Sequence, residues 1–214
     1  MIIDHVGSHL LQDTNIVLLR LGQNVLTLSS LMNMVGRLAF PIYCFLLTEG
    51  FLHTGSRKKY GQNLLLFALI SEIPWNLEHT GTLMYVKQNV FFTLFLGFLG
   101  LCCIEGLKEK PHQQLAALLS LAFTARVFKV DYGMAGFGFI LLMYCFRNYR
   151  ILQAVLGTSF LASRWTASLA FIPINLYNGK RGFIRGKVLK YAFYAAYPLH
   201  LFVIYLIKKN TVGF

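Results

Sequence analysis

The sequence predicts an all-α fold: a polytopic transmembrane helix bundle of about eight to nine segments around a polar cavity, one domain over residues 1–214. Three observations lead there. Of 214 residues, 56% are hydrophobic and 13% charged, about half the charge of a soluble domain, and mean hydropathy is +0.57. Apolar runs alternate with short basic connections. Acidic, basic and imidazole side chains also interrupt the runs themselves. A charge at that depth costs about 2.5–3.5 kcal/mol on insertion scales and normally faces the bundle interior.

Taken in order, residues 1–11 are apolar but too few to span, since a span needs about 20. Residues 12–27 are more polar and read as a loop with room for a short helix. Leu28–His53 is the first full span. Pro41 removes a backbone donor and should kink it between Arg37 and Glu49, which a 1.5 Å rise sets roughly 18 Å apart. Further segments cover 61–77, 88–107, 113–130 and 132–146. The runs 151–162 and 166–176 are shorter and read as one broken hairpin. The segment 188–207 closes the chain. Short connections make neighbours mostly antiparallel.

The net charge of +12 would suggest nucleic acid in a soluble protein. Here the cations lie between apolar runs, where the positive-inside rule and anionic lipid headgroups account for them; no nucleic-acid partner is expected. Alternate connections carry Arg57, Lys58, Lys59; Lys108, Lys110; Arg147, Arg150; and Lys180, Arg181, Arg185, Lys187. The other set, Arg20, Lys87, Arg126, Lys129 and Arg164, is poorer, so the first set is placed in the cytoplasm. Cys44, Cys102, Cys103 and Cys145 lie in apolar stretches without a pairing pattern and read as small hydrophobes. No cleavable signal peptide is apparent.

Four of the eight acidic residues, Asp4, Glu49, Glu72 and Asp131, fall in or beside apolar segments, as do Arg37, Arg126, Lys129 and Lys190. Internal ion pairs around a cavity follow. His5 reads equally as a general base, because imidazole titrates near 6.5, or as a core histidine bonded to a carbonyl. Helix neighbours diverge by about 100°, so Asp4 should pair with a cation on another helix rather than orient His5. His5 and His9 have the i, i+4 spacing of a metal pair, but two ligands lack a third, and no metal is expected. In the last span Tyr191, Tyr194 and Tyr197 share a stripe that His200 extends. Asn89 and Thr93, also i, i+4, can bond across helices, with Asn89 a further cavity candidate. The basic loop 179–187 is either a topology signal or a phosphate cradle; it has no P-loop pattern.

Several motifs then occur together: Asp4-His5-Val6-Gly7, Gly36-Arg37-Leu38-Ala39-Phe40-Pro41, Glu49-Gly50-Phe51 with His53-Thr54, Ser71-Glu72-Ile73-Pro74, Asn89-Val90-Phe91-Phe92-Thr93 and Tyr197-Pro198-Leu199-His200. In this order they resemble the TraX family, whose namesake N-acetylates F-type pilin, and the resemblance covers nearly the whole chain. It implies a multi-pass acyltransferase of the bacterial inner (cytoplasmic) membrane, using cytoplasmic acyl-CoA and an acceptor on or across the membrane. The family's Asp-His histidine corresponds to His5, and its arginine and glutamate to Arg37 and Glu49.

The expected reaction is transfer of acetyl from acetyl-CoA to an amine such as a pilin or peptide N-terminus. His5 takes the acceptor's proton and Arg37 pairs with Asp4 or stabilises the oxyanion. Glu49, Glu72, Asn89, Asp131, Tyr197 and His200 shape the cavity. Arg57, Lys58, Lys59, Lys180 and Arg181 attract CoA phosphates. Sugar or small-molecule acceptors, a proton-coupled transporter and a non-catalytic assembly partner are the competing readings.

Overall fold

The computed structural model describes residues 1–11, 16–21, 24–180, 182 and 186–211. Its helices are α1 (Ile2–His9), α2 (Leu28–Gly36), α3 (Ala39–His53), α4 (Arg57–Thr80), α5 (Val90–Gly106), α6 (Pro111–Val127), α7 (Gly133–Cys145), α8 (Arg150–Phe160), α9 (Phe171–Leu176) and α10 (Lys187–Thr211). A 3-10 segment, Ala162–Ala170, joins α8 to α9, with Arg164 out of helical conformation at φ −129°, ψ 54°. The expected broken hairpin is this α8–α9 unit.

One local expectation is corrected. Part of the region read as a loop is an antiparallel hairpin, β1 (Val17–Leu21) and β2 (Asn24–Thr27). Its β-branched and leucine content suits strands and was too short a signal beside the spans. The proline break falls at the start of the interval expected for it, 37–49. Pro41 cannot donate to the Arg37 carbonyl, and its ring crowds that group. The chain therefore leaves helical pairing at Arg37–Leu38, and the expected span Leu28–His53 is the pair α2 and α3.

α5 sits at the centre, apolar all round, against α3, α4, α6 and α7. Small residues permit the approach. A Cβ on Gly97 would strike Ile140, and one on Gly100 would lie 3.0 Å from the Phe137 ring, the close packing seen between membrane helices. Leu101, Phe139, Ile140 and Met143 are fully buried there. Asn89 caps α5, accepting from Phe91 N at 3.0 Å, and donates across to Ala68 O at 2.8 Å and Glu72 Oε2 at 2.6 Å. Asn89 and Glu72 thus clamp α4 to α5.

The outside is apolar. α6 exposes Leu115, Leu119, Phe123 and Val127, a stripe at every fourth residue, and α4 exposes Leu66, Leu69, Ile70 and Ile73. Contiguous apolar surface of this kind marks a membrane or partner face. Two helical stretches are long and apolar enough to cross a membrane, Leu28–His53 and Val188–Thr211, with α5 and α7 shorter but apolar.

The alternation of helices collects Arg57, Lys58, Lys59, Lys108, Lys110, Arg147, Arg150 and Lys180 at one end of the bundle. Arg181 and Arg185 lie outside the described residues. The opposite end carries α1, α2, the hairpin, the loop 81–89 and the end of α10. In a background lacking the native cysteines, single cysteines at Lys58 and Thr80 should react with impermeant thiol reagents from opposite sides of the membrane. Reaction of both from one side would refute this arrangement.

Candidate active site at the junction of the first and last helices

Helix α1 is held on α2 by two close approaches. A Cβ on Gly36 would collide with the Asp4 side chain, and one on Gly7 would lie 2.8 Å from Met32 Cβ. Ser29 Oγ donates to Gly7 O at 2.8 Å, and Ser8 Oγ to Asn33 Oδ1 at 2.7 Å. Only glycine at positions 7 and 36 lets the two backbones come this near. The result is a fixed placement of Asp4, His5, Ser8 and His9 inside the bundle.

Two cavities meet there. The larger, about 480 Å³, is lined by residues including Asp4, Ser8, Arg37, Asp131, Tyr132 and Arg164. The smaller, about 260 Å³, is lined by residues including His5, His9, Trp75, His79, Lys87 and Tyr197. Asp4, Ser8, Phe40, Asp131, Tyr132 and Arg164 border both. Phe40 and Tyr132 stack at 3.6 Å between ring centres and form a flat wall.

Asp131 reaches the junction on a pinned loop. Gln88 N donates to Lys129 O at 3.2 Å, Val130 pairs with Gln88, and Lys129 takes a left-handed turn at φ 48°. Burial pushes the Asp131 carboxyl up to about 6, with the His79 charge acting against it. Burial likewise raises Asp4, opposed by the chain's amino terminus and by Arg37. Arg37 and Arg164 line the same cavity as both acids.

His5 faces His200 of α10, 195 residues away in sequence, with His5 Nδ1 to His200 Nε2 at 3.1 Å. His200 Nδ1 lies 2.8 Å from the Ala196 carbonyl. A carbonyl oxygen only accepts, so His200 carries its proton on Nδ1 and a neutral ring offers the lone pair of Nε2. His5 must then donate from Nδ1, which leaves His5 Nε2 as a free acceptor. α1 is too short to span, and burial, followed by the neighbouring His200, pushes the His5 imidazolium down to about 3. The ring is therefore neutral at physiological pH. Tyr197 stands edge-on to both rings, at 6.3 and 5.5 Å. His200, not Asp4, orients His5.

A second set of groups adjoins it. Glu78 is fully buried, with His9 Nδ1 2.8 Å from Oε1 and His79 Nδ1 2.8 Å from Oε2. Lys208 of α10 donates to the Glu78 carbonyl at 2.9 Å. Sequence reasoning passed over Glu78, His79, Lys208 and Arg164 because each sits at a helix end or in a loop, where charge is usually solvated. The one available signal was Trp75 and Leu77 beside Glu78, an acid in an apolar helix end.

Of the residues expected at the site, the structure brings together Asp4, His5, Arg37, Asp131, Tyr197 and His200. Glu72 and Asn89 form the α4–α5 clamp instead. Glu49 lies near the other end of α3, 3.8 Å from His53 Nδ1 and bonded to Tyr177. Arg57, Lys58 and Lys59 open α4 while Trp75 and His79 close it, so a 1.5 Å rise puts them roughly 27 Å from the cavity. Lys180 is exposed and at that same far end.

An apolar-faced helical bundle with an internal chamber of acids, imidazoles and guanidinium groups defines a membrane-associated protein with a buried polar site. The chain belongs to the TraX family: the model of that family, described as TraX protein, matches residues 1–208. It is also 30% identical to a probable fimbrial assembly protein, FimC of serogroup H1, from Dichelobacter nodosus, with 78% of each chain covered. No solved structure matches the chain.

The Asp131 carboxyl yields a stability prediction. Its folded value lies above the ordinary 3.8, so its favourable contribution is full below about pH 4 and is lost as pH rises through about 6. Asp131→Asn should melt near wild type at pH 4 and above wild type at pH 7 in detergent thermal scans. An unchanged difference across that range would contradict the burial argument.

Proposed function

We propose that this protein is a membrane acyltransferase that moves an acetyl group from acyl-CoA to an amine, an exported pilin or peptide N-terminus being the acceptor class. The single observation carrying the reading is the free Nε2 of His5, fixed by the His5–His200–Ala196 chain beside a polar cavity. The TraX membership and the fimbrial-assembly relative support the acceptor class.

In this reaction the acceptor amine attacks the thioester carbonyl. The forming N–C bond leaves an oxyanion on the former carbonyl and a proton on nitrogen. His5 Nε2 takes that proton. Burial keeps the resting ring a weak base, so the transfer depends on the oxyanion formed beside it, whose charge favours the imidazolium, and His200 accepts from His5 Nδ1. Arg37 or Arg164 stabilises the oxyanion from the larger cavity. Collapse restores the carbonyl, breaks the C–S bond and releases CoA thiolate, which recovers the proton. Asp4 and Asp131 attract the acceptor as its ammonium, the usual form of an α-amino group below its pKa of about 7.7–8.0. Asp131, ionised above about 6, takes the first ammonium proton and passes it to solvent through the cavity, which leaves the free amine that attacks. Glu49 keeps a structural role at the far end.

The basic end, Arg57, Lys58, Lys59 and Lys180, with Arg181, receives the CoA phosphates from the cytoplasm. Donor and acceptor then approach from opposite ends. Neither cavity is lined by residues of the basic end.

Replacing a general base costs about 10²–10⁴-fold in rate. His5→Ala should lose that much kcat while retaining acyl-CoA binding. His200→Gln, which leaves His5 unoriented, should lose less and shift the pH profile. Wild-type kcat in His5→Ala with labelled acetyl-CoA and a pilin-type peptide would defeat the assignment.

The donor assignment is tested separately. Lys58→Ala combined with Lys180→Ala should raise KM for acyl-CoA, and added salt should raise the wild-type KM more than the variant's. A raised KM in Arg164→Ala with none in the double variant would move the phosphates into the cavity.

A further inference from the structure

The group formed by His9, Glu78 and His79 was not used in the reaction above. We infer that it is a binding site for a divalent transition-metal ion of the zinc class, held by His9 Nδ1, a Glu78 carboxylate oxygen and His79 Nδ1. The inference is independent of the acyl-transfer reading.

The three ligand atoms lie within 4.8 Å of one another. Bonds of about 2.0–2.2 Å in tetrahedral geometry place ligand atoms about 3.3–3.6 Å apart, within the range this cluster spans. The set is two imidazoles and one carboxylate, the ligand types of open zinc sites that keep a fourth position for water or substrate. His9 and His79 both line the smaller cavity, so that fourth position faces space a small ligand can enter.

A second observation points to a missing cation. Glu78 has no exposed surface, and its Oε2 accepts no hydrogen bond. His79 Nδ1 nevertheless stands 2.8 Å from that oxygen. The same Nδ1 is 3.0 Å from the Trp75 carbonyl, so its proton, when it has one, points there. A proton on His79 Nδ1 lies between the Trp75 carbonyl and this oxygen and is aligned on the carbonyl, so the carboxylate oxygen is held close to a ring nitrogen without an aligned donor. A metal can take both atoms where they stand, with the His79 proton moved to Nε2.

The surroundings fit. Lys208 Nζ donates to the Glu78 main-chain carbonyl and lies 3.5 Å from Oε1, which leaves Oε2 open. Outer partners of this kind orient metal-binding carboxylates. The rings of Trp75 and Tyr85 pack on His79 at 3.9 and 4.9 Å and fix its plane. The sequence expectation of no metal rested on His5 and His9 lacking a third ligand. Folding replaces His5 in that pair by two adjacent residues from the end of α4.

The test uses the full chain without an affinity tag of histidines, purified in detergent. Metal analysis after incubation with Zn²⁺ and gel filtration should give about one zinc per chain, and Co²⁺ in its place should give the visible absorption of a low-symmetry four-coordinate site. Glu78→Gln and His79→Gln should each weaken Zn²⁺ binding at least tenfold, read by competition with a chelating dye. His53→Gln, at the far end, should bind as wild type. Elution at the wild-type volume shows that a variant is folded, and His9→Asn provides a third ligand variant if one fails. Substoichiometric zinc in the wild type, or undiminished binding in folded ligand variants, would overturn the site and leave a proton-bridged ion cluster on Lys208.

Discussion

The hydrogen bond between His5 and His200 joins the first helix of the chain to the last. It is the contact on which the site depends. α1 has eight residues and cannot hold itself in an apolar bundle by length. Its position comes from the glycine contacts with α2 and from this bond to α10. A buried imidazole left without a partner would cost about 1–3 kcal/mol, so each ring fixes the other. The Ala196 carbonyl then sets the direction of both protons. One geometric constraint thus holds the chamber closed and leaves one nitrogen free to accept.

The chamber lies between two opposed demands. Apolar surroundings penalise charge and push the Asp131 carboxyl up and the His5 imidazolium down. The same surroundings strengthen attraction between the charges that remain. Asp4 and Asp131 lining one cavity with Arg37 and Arg164 is the arrangement that satisfies both demands. The helix alternation carries Arg57, Lys58, Lys59, Lys108, Lys110, Arg147 and Arg150 to the other end of the bundle. The two chemistries are therefore segregated along the bundle axis rather than mixed in one pocket.

Much of this fold is legible in the sequence because apolar runs and short connections leave few alternatives. The expected segment 61–77 is α4 with its ends extended, and 132–146 is α7. Resolution was lost where the signal was local and weak, as in the hairpin 17–27, or where proline acts at a distance, as Pro41 does on Arg37. The site was legible by residue type and not by pairing. His5, Asp4, Asp131 and His200 stood out as charges or rings in apolar surroundings. Nothing in one sequence says that residues 195 positions apart share a proton. Glu78 was missed because a helix end looks solvated until α10 is laid over it. Glu49 and Glu72 lie away from the chamber, Glu72 bonded to Asn89 and Glu49 beside His53, a placement that residue type alone does not reveal.

The most direct measurement is the proton map of the two histidines. Selectively ¹⁵N-labelled imidazoles in the purified protein report protonation and tautomer for each ring at pH 7. The account predicts both rings neutral, both protonated at Nδ1, with a coupling across the bond from His5 Nδ1 to His200 Nε2. A charged His5, or a His5 protonated at Nε2, would leave no acceptor in the cavity and contradict the account.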